Sequence, residues 1–169
     1  VIDLCRALSA YSGKMRLHVV NFTQVLVELN DNTPNELLTI LMRRMMVRIS
    51  EEIAKKARCQ ALVTGESIGQ VASQTLEALT CTNDAATLPI FRPLIGFDKI
   101  DIMDLARKIG TYDISIEPYA DCCTVFVPEL PKTRPQLASV LEAESLLDMD
   151  IMLKSSLEDI EVIEINADR

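Results

Sequence analysis

Two adjacent thiols, Cys122 and Cys123, lie in the segment Glu-Pro-Tyr-Ala-Asp-Cys-Cys-Thr-Val-Phe and are the side chains best suited to covalent chemistry. A loop thiol can be exposed and ionised, and the thiolate is the nucleophile. The pair has no CxxC partner for a zinc site, and its spacing leaves open which of the two reacts. Cys5, Cys59 and Cys81 fall on or near predicted helix ends and read as packing. The single histidine, His18, falls in a predicted strand, so no Cys-His dyad or Ser-His-Asp set can be assembled. No metal-ligand cluster stands out, and no protein-bound metal is expected.

A non-covalent site is suggested further back. Open α/β sheets bind ligands beyond the C-terminal ends of their strands. Here Ala61-Leu62-Val63-Thr64 reads as a short buried strand that stops at Gly65. A glycine there lets a ring or phosphate approach the backbone closely, and a helix starting at once would offer free N–H groups. On a helix from Glu66 to Leu79, Ser67, Gln70 and Gln74 share a polar face with Glu66 and Glu77, and the two uncharged glutamines could bond a base or ribose. A plain solvated surface explains the same residues. Arg43 lies about 140° from Leu38 around its predicted helix, at the margin of the apolar stripe, where it could reach the sheet end or simply snorkel.

These residues need elements to hold them. Ile2 to Tyr11 reads as the end of a helix closed by Gly13, and Leu17 to Phe22 as a strand. A short helical piece over Val25 to Leu29 is followed by a turn at Asn30-Asp31-Asn32-Thr33-Pro34. A long helix over Glu36 to Ala57 carries Leu38, Met42, Met45, Ile49 and Ile53 as its core stripe. Arg44, Arg48, Glu51 and Lys55 are expected to form its solvated charged face. Leu88 to Ile95 reads as a strand limited by Pro89 and Pro93. Asp98 should cap a helix from Lys99 to Ile109 that closes on Gly110. Pro135 is expected at a first helical position, with helices to about Leu157 and a final strand at Glu161 to Ile165. Strands alternating with amphipathic helices predict an α/β fold with a mostly parallel sheet and helices on both faces.

Composition narrows the setting. At 169 residues one domain is expected. With no Trp and 4% aromatic residues, its core must be aliphatic. No apolar run approaches the roughly 20 residues that span a bilayer, no signal-peptide order opens the chain, and five cysteines are not a small secreted framework. A cytoplasmic location is the expectation, with no membrane partner. A net charge of −8 argues against this segment gripping nucleic acid by itself, because that affinity comes largely from Lys and Arg neutralising phosphates.

Four stretches, in order, resemble the ThiI family of tRNA 4-thiouridine synthetases, also called thiamine biosynthesis sulfurtransferases. They are Arg43-Arg44-Met45-Met46-Val47-Arg48, Leu62-Val63-Thr64-Gly65-Glu66-Ser67-Ile68-Gly69-Gln70-Val71-Ala72-Ser73-Gln74-Thr75, Phe91-Arg92-Pro93-Leu94-Ile95 with Asp98-Lys99, and Asp121-Cys122-Cys123. The resemblance implies a Rossmann-like PP-loop (adenine-nucleotide α-hydrolase) fold over residues 1–169, with residues 118–169 as a C-terminal extension carrying the Cys loop. It implies a sulfurtransferase in which ATP adenylates a tRNA uridine and a persulfide then replaces its oxygen with sulfur, giving 4-thiouridine and releasing AMP. Supply of sulfur to thiamine thiazole synthesis belongs to the same picture. Arg43, Gly65 and Gln74 match ATP-binding positions, with Mg²⁺ accompanying the nucleotide. Cys123 best matches the reacting thiol, with Cys122 as the alternative. Partners implied are tRNA, a cysteine desulfurase and a second subunit.

The chain departs from the family pattern in lacking the PP-loop signature Ser-Gly-Gly-x-Asp-Ser. The first strand-loop-helix unit of the domain, and the modules that bind tRNA, are therefore expected to precede Val1, and the fragment alone is expected to be inactive. Two other readings are a nucleotide-binding module without sulfur transfer and a pure interaction domain.

Overall fold

A computed structural model describes residues 1–71, 73–118 and 131–166. Cys122 and Cys123 lie outside the described residues. The chain begins with α1 (Ile2–Ser12), β1 (Met15–Val20) and α2 (Thr23–Asn32), and a 3-10 turn at Asn35–Leu37 leads into α3 (Leu38–Lys56). There follow β2 (Leu62–Val63), α4 (Leu76–Asn83), β3 (Ile90–Phe91), α5 (Lys99–Lys108) and α6 (Tyr112–Ser115). The last elements are α7 (Leu137–Glu144), α8 (Met149–Glu158) and β4 (Ile160–Ile165).

The fold is α/β. The parallel pair joins β2 to β3, with Leu62 opposite Ile90 and Val63 opposite Phe91, and α4 is the crossover that a parallel pair requires. The longer ladder is antiparallel: β1 pairs β4 from Met15 opposite Ile165 to Val20 opposite Ile160. Its direction follows from α8, which brings the chain back alongside β1.

The aliphatic core centres on α3. Leu38, Ile40, Leu41, Met45 and Ile49 are buried there against Leu29 of α2, Ala78 and Cys81 of α4, Val140 of α7 and Met152 of α8. Each such side chain removed from water contributes about 1.5–3 kcal/mol, so α3 is the element on which the others converge.

Several expectations about helices fail: α2 runs on to Asn32 through the expected turn, and α7 starts at Leu137, two residues after Pro135. The helix expected over Glu66 to Leu79 begins only at Leu76, where Thr75 caps it by accepting a bond from the Ala78 N–H at 3.1 Å. Gly69 has φ +79°, which no helix accommodates, and its N–H bonds the Gln74 carbonyl at 3.0 Å to close a compact loop. Glycine's freedom at positive φ thus overrides the helical periodicity of its neighbours. The expected solvated face of α3 is also wrong for two of its four residues, since Arg44 is 1% and Glu51 4% exposed. Periodicity marks which residues share a side of a helix but not what later packs there. By contrast, Asp98 caps α5 as expected, accepting bonds from Ile100 and Asp101 N–H at 2.8 and 3.0 Å.

Candidate functional site

β2 ends at Val63, and the chain beyond it faces the middle of α3 across a cavity of about 380 Å³. Its lining includes Arg43 and Met46 from α3, Thr64, Gly65 and Glu66 after β2, and Gln74 from the loop before α4. The volume lies in the range of small-molecule sites. Arg43, Gly65 and Gln74 are distant in sequence, and the fold brings all three to this one cavity.

Each arrives by a different local cause. Arg43 stands at the edge of the α3 core stripe, with 22% of its side chain exposed. At Gly65 a Cβ would meet nothing within 4 Å, so the chain itself leaves the backbone open to the cavity. Gln74 closes the Gly69 loop, and its Oε1 accepts a bond from the Ser67 N–H at 3.3 Å. The predicted polar helix face of Ser67, Gln70 and Gln74 does not exist. Ser67 instead donates to the Phe97 carbonyl at 2.6 Å and is buried.

Glu66 and Arg92 are site residues that sequence reasoning missed. Glu66 is 4% exposed. One carboxylate oxygen pairs with the Arg43 guanidinium. The other accepts bonds from Arg92 Nε at 2.6 Å and Thr64 Oγ1 at 2.8 Å. The β2–β3 register explains the meeting: Val63 lies opposite Phe91, so Thr64 and Arg92 leave adjacent strands side by side. A charged residue just past each of two strands was the available signal, but the register that pairs them is not written in the sequence.

Two guanidinium groups share one carboxylate here, so the cluster carries a surplus positive charge. Among the described residues, Arg43 Nε, Arg92 Nη2 and the acceptor Glu66 Oε1 are buried without hydrogen-bond partners. Burial, and then the charge of Arg92, lower the Arg43 pKa from its ordinary value, and burial lowers that of Arg92. Buried donors without acceptors are costly, and an anion in the cavity would relieve that cost at Arg43, which lines it.

Adjoining this cavity, and sharing Met46 and Ser50 of α3 and Leu62 and Val63 of β2, is a larger cavity of about 690 Å³ that is also lined by His18 and Val20 of β1 and Ile49 and Ile53 of α3. Exposed Cys59 also borders it, which corrects the expectation that it packs. Cys81 does pack: it is 1% exposed, and burial pushes its thiol pKa up. The chain re-enters the described structure at Pro131, next to Lys132, whose N–H bonds the Glu36 carbonyl at 3.0 Å. Thr75 Oγ1 then donates to the Thr133 carbonyl at 2.6 Å, which ties this segment beside Gln74. Among the described residues, no group of three His, Cys, Asp or Glu side chains is placed to hold a metal ion, and no helix is long and apolar enough to cross a membrane.

Comparison with known proteins supplies a family. Residues 1–149 match the family described as thiamine biosynthesis protein (ThiI). A probable tRNA sulfurtransferase of Caldanaerobacter subterraneus is 56% identical over 165 residues, covering 98% of this chain and 43% of that protein. Another from Alkaliphilus metalliredigens is 52% identical over 168 residues, 99% of this chain and 43% of that protein. The crystal structure of a 4-thiouridine synthetase–RNA complex with bound ATP superposes with a TM-score of 0.92 at 40% identity, over 97% of this chain and 43% of that one. The chain thus spans less than half the length of the relatives it matches.

Proposed function

Since the chain belongs to the ThiI family, we propose that it is the part of an ATP-dependent tRNA sulfurtransferase that holds the nucleotide through Arg43, Gly65 and Gln74. The observation that carries this reading is the convergence of those three residues on one cavity with surplus positive charge. ATP is a fitting occupant on the chemistry of the donors alone. The buried, unpartnered Arg43 Nε suits an anion, and the open backbone at Gly65 leaves room for a ring or phosphate. The match to a solved relative with bound ATP supports the same ligand.

ATP bound there would supply an adenylyl group that turns the uridine oxygen into a leaving group, which uracil otherwise lacks. Arg43 would hold the nucleotide's negative charge near the end of β2. Gly65 would let the nucleotide sit against the backbone, and the Gln74 amide would orient its polar edge. Magnesium would accompany the phosphates rather than be held by this chain. Cys123 is the proposed thiol of the sulfur step and Cys122 the alternative.

In this reading residues 1–169 belong to a PP-loop domain whose first strand-loop-helix unit lies elsewhere in the protein. The cavity of about 690 Å³ between β1 and β2 suits added strands. Val63 and Phe91 are also 69% and 60% exposed, which fits strands awaiting a covering layer. With a net charge of −8 on this segment, tRNA would be gripped mainly by other regions. A cysteine desulfurase as sulfur donor, a homodimer, a cytoplasmic location and a contribution to thiamine synthesis complete the proposal.

The test is tRNA thiolation by the full-length native protein with ATP, cysteine and a desulfurase, followed by 4-thiouridine absorbance. Loss of product in Cys123→Ser but not in Cys122→Ser is the expected result. Loss only in Cys122→Ser would keep the enzyme and move the thiol. Bound ATP with no thiouridine in the wild type would leave a nucleotide-binding module without sulfur transfer.

A further inference from the structure

Arg92 does not line the cavity of about 380 Å³, yet its guanidinium decides the charge that the cavity presents. Glu66 and Arg43 both line it. Alone, they would form a neutral pair, and a neutral pair has no net attraction for an anion. Arg92 changes that balance from behind. Its Nε donates to Glu66 Oε2 at 2.6 Å, and the same oxygen accepts the Thr64 hydroxyl at 2.8 Å. Arg92 Nη1 is further held by Asn83 Oδ1 at 3.3 Å, which fixes the guanidinium against the carboxylate. Glu66 is therefore shared between Arg92 and Arg43, and its single charge cannot cancel both.

We propose that Arg92 is a positioning residue for nucleotide selectivity: it shares the Glu66 carboxylate with Arg43, leaves one positive charge in excess beside the cavity, and so makes the site discriminate phosphate-bearing adenine nucleotides from adenosine. This rests on the reading of the cavity as an ATP site. Two features favour it over a purely structural role for the arginine. A structural ion pair needs one cation for one carboxylate, whereas here two cations meet one carboxylate in a buried place. Among the described residues, Arg43 Nε, at the cavity, also remains buried without an acceptor, a cost that a further partner in the cavity would relieve.

The test is calorimetric binding of ATP and of adenosine to the full-length native protein, each at low and high salt. Removing one charge at this range in a partly buried site is worth roughly tenfold in affinity. Arg92→Gln is expected to weaken ATP by about that factor, leave adenosine within about twofold, and flatten the salt dependence of ATP binding. Arg92→Lys should recover most of the ATP affinity. The double variant Glu66→Gln with Arg92→Gln removes one charge of each sign, so it should regain selectivity that Arg92→Gln loses. It also supplies the readout if Arg92→Gln does not fold. Equal losses for ATP and adenosine, unchanged ATP binding in Arg92→Gln, or no recovery in the double variant would each overturn the proposal. A wild-type protein that binds neither compound would overturn the ATP-site reading itself, and this proposal with it.

Discussion

Arg43 and Arg44 are neighbours on α3, yet they belong to clusters of opposite design. Arg44 is 1% exposed. Its Nε and Nη2 donate to the two oxygens of Glu144 at 2.8 and 2.9 Å, in a fork-on-carboxylate arrangement. Nη1 donates to the Cys81 carbonyl, and both Nη1 and Nη2 reach Asp84 at 3.2 Å. Arg48 adds a second fork to Glu144 at 2.6 and 2.8 Å. Two cations face two carboxylates, so the charges balance. On the Arg43 side, two cations face one carboxylate and two buried donors lack partners. A closed network ties α3 to α4 and α7, whereas an open one is incomplete until something anionic arrives. The difference separates a structural ion cluster from a ligand site more clearly than burial or charge does alone.

The titration behaviour follows the same division. Burial by itself would raise the Glu144 pKa, but bonds from Arg48 and Arg44 outweigh it and hold the carboxyl down to about 2. For Arg44, burial works to lower the pKa, and Glu144 and Asp84 more than offset it. Glu51, on the same helix, behaves like Glu144. Burial opposes its ionisation, but Lys55, the Thr87 hydroxyl and N–H, and the Leu88 N–H bring it down to about 2. Arg43 shows the opposite outcome, since nothing around it outweighs burial and the charge of Arg92.

The sharpest way to break this comparison is to remove one partner from each cluster. Glu144→Gln strands Arg44 and Arg48 inside the protein, and truncating a buried pair costs about 3–5 kcal/mol. Urea unfolding should show a loss of that size. A loss below about 1 kcal/mol would mean that the cluster is not the tie described. Arg43→Gln should do the reverse. Glu66 stays paired with Arg92 and Thr64, so stability should move by less than about 1 kcal/mol, while ATP affinity falls by about 2 kcal/mol or more, roughly thirtyfold. An Arg43→Gln protein that unfolds early but keeps its nucleotide affinity would erase the distinction.

Acid provides a third contrast. The folded-state pKa values of Glu144 and Glu51 lie below the ordinary carboxylate value of 4.5. Their contribution to stability is therefore complete above about pH 4.5 and is lost as pH falls towards about 2. The melting temperature should decline over that window, and Glu144→Gln should flatten the decline. An unchanged slope in that variant would remove Glu144 from the account.

The smallest stability effect is expected at Gly65, where an added side chain meets open space. Gly65→Val should melt within a degree or two of the wild type, yet bind ATP at least several-fold more weakly, because the new methyl groups occupy the ligand's approach. Normal ATP binding in that variant would place the nucleotide elsewhere.

Much of the scaffold was legible in the sequence because local chemistry fixed it. The apolar period of α3, the Asp98 cap of α5 and the alternation of β4 appear where the residues direct them. The loop from Ser67 to Gln74 was misread as helix because a single positive-φ glycine outweighed the periodicity around it. Arg44 and Glu51 were misread as solvated because their covering comes from elements far away in the chain, Glu144 of α7 and Thr87 before β3.

The sequence by itself thus determined the α/β class and the helix that organises the core. Only the tertiary structure decided which charges are buried together. It set Arg44 and Arg48 against Glu144 and Asp84, and left Glu66 to serve both Arg43 and Arg92. The physical reason is that a charge's role depends on the partners available in its own low-dielectric surroundings. Those partners are set by strand register and helix packing, which no local pattern encodes.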